Sequence, residues 1–181
     1  MTAYAMDLSA QRSALDISAL LLRVIVGGTM LAHGWNHFFG GGRLPGTTRW
    51  FSSIGMRHAR LHAVLASVTE VGAGALLLLG LLTPLASAAV VGCMLVALVA
   101  NHIRNGFFIF RPGEGYEYVL MIIVVAAAIG ASGGGSWSLD NLFDITIAGW
   151  PGLATAAVLG GLAGALALGT SWRRPKSEVS A

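Results

Sequence analysis

Arg23, His33, Asn36, His37, Glu70, Asn101, His102 and Glu117 are the residues whose types could do chemistry, and each lies inside or at the edge of a long apolar run. An ionisable group at membrane depth is costly unless it snorkels, pairs or faces a polar cavity. His33 and His37 are four apart and share one helix face. Three readings are open for them: hydrogen-bonded core histidines, side chains that orient a quinone or another polar-headed ligand, or ligands to a metal or haem. A metal site would need more ligands, which His102 or Glu70 could supply. Arg23 and Glu70 are expected to form a buried ion pair that lowers the cost of both; the competing expectation is that Arg23 snorkels outward. His58 and His62, also four apart, read as surface residues among arginines. The lone Cys93 cannot form an intrachain disulfide or a CxxC pair, and it reads as a small buried apolar residue.

These residues sit in a chain of 181 residues that is 55% hydrophobic and 10% charged, with a mean hydropathy of +0.73. A soluble domain is far less apolar. The composition implies one polytopic membrane domain, and the formal charge of +3 sets topology rather than pointing to nucleic acid. The polar segment 1–16 lacks the pattern of a cleaved signal peptide, so the first span is expected to be retained.

Five apolar stretches position the polar residues. The first is Ile17–Phe39, about 23 residues and enough for the roughly 30 Å hydrocarbon core. The second is Leu61–Leu82, interrupted by Glu70, and a Thr83–Pro84 turn leads to the third, Leu85 to about Ile103. The fourth, about Glu117–Ala131, is short and ends at the glycine-rich run 132–136, expected to be a flexible loop. The fifth is about Gly152–Thr170. Gly152, Ala156, Gly160 and Gly164 make a small-residue stripe along it, suited to close helix approach, most simply onto the same chain. The runs lack the alternation of membrane β-strands, so the fold class is all-α, a polytopic membrane helical bundle. Trp50, Phe51 and Ile54 at helical spacing among arginines suggest a short interfacial helix after the first span, or a loop with a Trp anchor.

Arginine and lysine set the orientation. Arg12 lies on one side, against Arg43, Arg49, Arg57, Arg60, Arg104, Arg111, Arg173, Arg174 and Lys176 on the other. The amino terminus is therefore expected outside and the carboxyl terminus in the cytoplasm. On this topology His33, Asn36, His37, Asn101, His102 and Glu117 fall at similar depth in the cytoplasmic half, with Glu70 just above. That level implies a polar pocket opening inward.

The order of these motifs resembles the DoxX family of bacterial membrane proteins. The resemblance rests on Arg23, His33-Gly34-Trp35-Asn36-His37, Phe39-Gly40, Glu70 in a glycine-rich second span, Asn101-His102, Gly106-Phe107-Phe108, Gly115-Tyr116-Glu117-Tyr118 and Gly135-Ser136-Trp137-Ser138-Leu139-Asp140. It runs from about residue 17 to 141. It implies a four-helix core over 17–141, a bacterial inner membrane location and a link to redox chemistry. Related DoxD-type proteins are subunits of a thiosulfate:quinone oxidoreductase, and mycobacterial DoxX is associated with superoxide dismutase and a sulfurtransferase. The loop and fifth helix over 142–170, and a basic tail over 171–181, are additions to that core.

The resemblance therefore favours a non-catalytic membrane component of a quinone-linked oxidoreductase system. Its partners would be the lipid bilayer and a membrane-associated oxidoreductase, with self-association into a homo-oligomer left open. No flavin or dinucleotide fingerprint is present, so a catalytic cofactor would belong to a partner. Two other classes compete. Intramembrane Arg, Glu and His also mark a small-solute or metal transporter, and the same polar groups in a scaffold would only specify packing.

Overall fold

The computed structural model describes residues 3–175, with side chains from residue 7 onward. Helix α1 runs over Ala3–Phe39, α2 over Arg43–Ser53, α3 over Ala59–Leu79 and α4 over Thr83–Ala97, extended by a π-helical turn at Leu98–His102. Helix α5 covers Glu117–Ser132 and the short α6 covers Leu139–Leu142. Helix α7 (Gly149–Ala154), a π turn at Thr155–Leu159 and α8 (Gly160–Ser171) form one continuous rod. The fold is an all-α membrane bundle. Four helices are long and apolar enough to cross a bilayer, spanning Asp7–Phe39, Ala59–Leu79, Thr83–His102 and Gly149–Ser171. Helix α5 is an apolar helix of 16 residues, about 24 Å long. Leu21, Ile25, Val68, Met121, Leu162 and Leu166 are large, apolar and exposed, as lipid-facing residues must be.

Three local features differ from the sequence reading. The polar segment continues the first helix: α1 is helical from Ala3 without a break at Ile17. The turn into α4 is Gly80–Leu82, with Gly80 and Leu82 left-handed, and Thr83–Pro84 start the helix rather than precede it, because proline fits a first turn that needs no amide donor there. The glycine-rich stretch, expected to be a flexible loop, is tied across the end of the bundle near Asp16. Ser136 donates its amide to Asp16 at 2.7 Å, and Ser138 caps α6 through Asn141.

Helices α1 and α3 pack antiparallel with almost no side chain between them. A Cβ at Gly27 would meet the Gly74 carbonyl, and one at Gly34 would meet that of Ser67. These contacts fix the register that places every polar residue of the two helices. The small-residue stripe of the fifth span does the same against α4 and α5. Gly152, Ala156, Gly160 and Gly164 are buried, with Gly160 against the Ala88 carbonyl and Gly152 against that of Gly130. The core between α1, α3, α4 and α5 is built from Val26, Met30, Leu77, Val90, Val119 and Ile129.

Candidate functional site

The half of the bundle that carries the arginine-rich loops encloses a cavity of about 480 Å³, within the usual range for small-molecule sites. Helix α1 contributes His33 and His37, α3 contributes His62, Thr69 and Glu70, and α4 with its π turn contributes Cys93 and His102. Tyr118 of α5 and Ala163 and Ala167 of α8 complete the wall. Trp50, Phe51, Ile54 and Met56 close the end nearest α2. Helix α2 thus exists where an interfacial helix was expected, and Phe51 and Ile54 of its apolar side face the protein rather than only lipid. It is pinned from below by the end of α8: Trp172 donates its indole N–H to the Ile54 carbonyl at 2.8 Å, and Arg173 its amide to Gly55 at 2.9 Å. Leu65 and Ala163 flank the cavity and are exposed on the faces that carry Val68 and Leu162. The opening is therefore lateral, toward the acyl chains.

The polar end is a small cluster. His37 Nδ1 lies 3.1 Å from Glu70 Oε2, an ion-pair distance whose angle is unsuited to a directed hydrogen bond. The Cys93 thiol donates to Glu70 Oε1 at 3.6 Å. His102, 3% exposed, is fully partnered. Its Nδ1 is 2.9 Å from the Glu114 carbonyl, which can only accept, so Nδ1 carries a proton. Its Nε2 then accepts from the Tyr118 hydroxyl at 3.1 Å and meets Asn101 Nδ2 at 3.3 Å. That is a structural histidine closing one wall.

The expected Arg23–Glu70 pair is not formed. Arg23 is buried, so it does not snorkel either; it donates from Nη2 to the Trp137 carbonyl at 2.6 Å, and the carboxylate acting on its charge is Asp140. The reason lies in the register. Arg23 abuts Gly80, whereas Glu70 lies level with α1 about eight residues further on, about 12 Å deeper. Side chains lean toward the amino end of their own helix, so on antiparallel helices Arg23 leans outward and Glu70 inward, toward His37.

Of the other expected pocket residues, Glu70, His33, His37 and His102 line the cavity, His33 as an exposed residue. Asn36, Asn101 and Glu117 do not. Asn36 is exposed beside Gly40, Asn101 holds His102, and Glu117 accepts the Ile109 amide at 2.9 Å, shaping the loop before α5. The sequence reading missed three residues. His62 reads as surface and Cys93 as inert packing, yet both line the cavity, His62 two turns before Glu70 on α3 and Cys93 against Glu70 from α4. Tyr118 is adjacent to Glu117 but points the other way around α5.

Among the described residues, no cluster of His, Cys, Asp and Glu is arranged to hold a metal ion. The cavity walls are mostly aliphatic and aromatic.

The DoxX family model matches residues 18–103. Over these residues the chain carries a DoxX domain. The match covers α1 to the end of the α4 π turn, and with it His37, Glu70, Cys93 and His102. The later motifs around Tyr116–Tyr118 and Trp137–Asp140, and the α8 wall, lie beyond it. No curated protein and no solved structure matches the chain.

Proposed function

We propose that this integral membrane protein is a non-catalytic component of a quinone-linked oxidoreductase system that holds a lipid-soluble, ring-headed ligand in its lateral cavity. The observation that carries the reading is the cavity's polarity: aliphatic and aromatic walls open to lipid, with His37, Glu70 and Cys93 at one end. A quinone head entering from the bilayer would find its polar partners without leaving the apolar phase, and the electron-transfer chemistry would belong to a membrane-associated partner. The test is reconstitution in vesicles containing a benzoquinone, followed by repurification and mass spectrometry of the bound lipids. Wild-type protein is expected to retain about one quinone per chain, as one site of this size allows. Ala163→Trp, which fills the cavity from an exposed position, is expected to retain far less. Wild-type protein that emerges free of quinone overturns the reading.

A further inference from the structure

Helix α2 and the start of α3 form an arm at the arginine-bearing pole. Thr47 and Phe51 are the buried residues of α2. Phe51 and Ile54 face the cavity, and Thr47 Oγ1 donates to the His37 carbonyl at 2.9 Å. An antiparallel bridge between Met56 and Trp172 fixes the turn that follows. The apolar side of the helix is thus taken up by the protein. Arg43, Arg49 and Trp50 remain exposed on the other side, and Arg57 and Arg60 are exposed around the start of α3. An amphipathic helix that sinks into acyl chains needs its apolar face free. This one can meet the membrane only through its charges and Trp50.

The charge is uncompensated. The chain has no Asp or Glu between Asp16 and Glu70, and Glu70 is buried. Among the described residues, none of the four guanidinium groups makes an ion pair or a side-chain hydrogen bond. Arg104, Arg111, Arg173 and Arg174 share the pole. Its acids, among the described residues, are the exposed Glu114 and Glu117, whose carboxylate takes the Ile109 amide. Exposed aromatic rings set the depth of the arm. Trp35 and Phe39 pair at 4.3 Å on the last turns of α1, next to Trp50 of α2 in chain order. Tryptophan at span ends belongs to the headgroup region, so the arm lies level with lipid phosphates.

We propose that this arm, through Arg43, Arg49, Arg57 and Arg60, binds the headgroup of an anionic phospholipid. A guanidinium meets a phosphate through two parallel hydrogen bonds. Four such groups without a neighbouring acid favour a headgroup whose phosphate charge no choline or amine cancels. The site lies outside the cavity and does not depend on what the cavity holds.

The experiment titrates phosphatidylglycerol, phosphatidylcholine and inorganic phosphate separately into purified protein in a neutral detergent at low ionic strength, with bound species counted by native mass spectrometry. Wild type is expected to bind its first phosphatidylglycerol at least about fivefold more tightly than its first phosphatidylcholine, the worth of one arginine near an anionic surface. Changing Arg43, Arg49, Arg57 and Arg60 together to Gln is expected to bring the ratio close to one. Changing Arg104, Arg111, Arg173 and Arg174 to Gln, an equal loss of charge at the same pole, is expected to leave most of it. Equal losses from the two variants would make the pole a diffuse field and overturn the proposal, as would a wild-type ratio near one. Inorganic phosphate binding as tightly as phosphatidylglycerol would make the site one for a free anion. Loss of a dimer from the first variant with its lipid ratio unchanged would give the arm to a second copy. Either result overturns the lipid assignment. Should the first variant not fold, Arg49→Gln and Arg60→Gln singly test the same point, each expected to lower the ratio.

Discussion

At the residue scale, Arg23 and Glu70, which the sequence sets at membrane depth, serve different ends of the molecule. Asp140, 1% exposed, accepts the Leu82 and Thr83 amides at 2.6 and 2.9 Å, so it caps the start of α4 while its charge acts on Arg23. A carboxylate at a helix start is doubly favoured, by two orphan amides and by the helix dipole. Removing it strands both the amides and a buried guanidinium. Asp140→Asn is expected to destabilise the protein by about 3 kcal/mol, measured by thermal unfolding in detergent. A double-mutant cycle with Arg23→Gln is expected to show coupling of about 1–3 kcal/mol, whereas the Arg23→Gln and Glu70→Gln cycle is expected to be additive. An additive Arg23–Asp140 cycle would show that the arginine is held by the Trp137 carbonyl alone. Depth counting could place Arg23 and Glu70 in the membrane but could not choose their partners. That choice depends on helix register and on the lean of each side chain, and Asp140 sits in a loop whose glycine content concealed a buried acid. An acid, Asp140 or Asp144, in a stretch without Lys or Arg was the available signal.

At the element scale, what was legible followed from periodicity and small residues. The spans, the short helix after the first span and the buried stripe on the fifth all stand close to where the sequence places them. Less legible was the continuation of α1 through the polar segment, because an exposed polar helix lacks an apolar period. The cavity's α8 wall was also hidden: Ala163 and Ala167 look like ordinary small residues until the stripe beside them docks on α4. That docking leaves little tolerance. A Cβ at Gly160 would already meet the Ala88 carbonyl at 2.7 Å and the Val91 side chain at 2.8 Å, and one at Gly164 the Gly92 carbonyl at 3.1 Å. Gly160→Leu should therefore push α8 off α4 and cost about 1–3 kcal/mol, the usual scale of overpacking, read as a lower unfolding temperature. Leu162→Ala on the exposed face of the same helix should change stability little. Equal effects from the two would mean that α8 does not pack through its glycine face.

At the scale of the whole molecule, the arrangement of helix ends carries the orientation. The carboxyl end of α1, both ends of α2, the amino end of α3, the π-turn end of α4 and the end of α8 meet at one pole. There Arg57 donates its amide to Ser171 and Arg173 its own to Gly55. Arg43, Arg49, Arg57, Arg60, Arg104, Arg111, Arg173 and Arg174 all belong to the segments at that pole, while Lys176 lies outside the described residues. Arg12, on the other side, is the lone basic residue of that flank, and Arg23 is buried on the Trp137 carbonyl. Exposed aromatic residues accompany the arginines, with Phe108 and Phe110 stacked at 5.1 Å between Arg104 and Arg111 in a loop suited to the headgroup region. Basic segments this close to span ends favour the cytoplasm during insertion, so the cavity is expected in the cytoplasmic leaflet half. A carboxyl-terminal fluorescent protein that matures only in the cytoplasm is expected to fluoresce, and a periplasm-active phosphatase at the same position to be inactive. Adding the phosphatase after Asp144, in the loop at the opposite pole, should reverse its result. Active phosphatase at the carboxyl terminus would invert the molecule, placing the cavity and the basic pole outside.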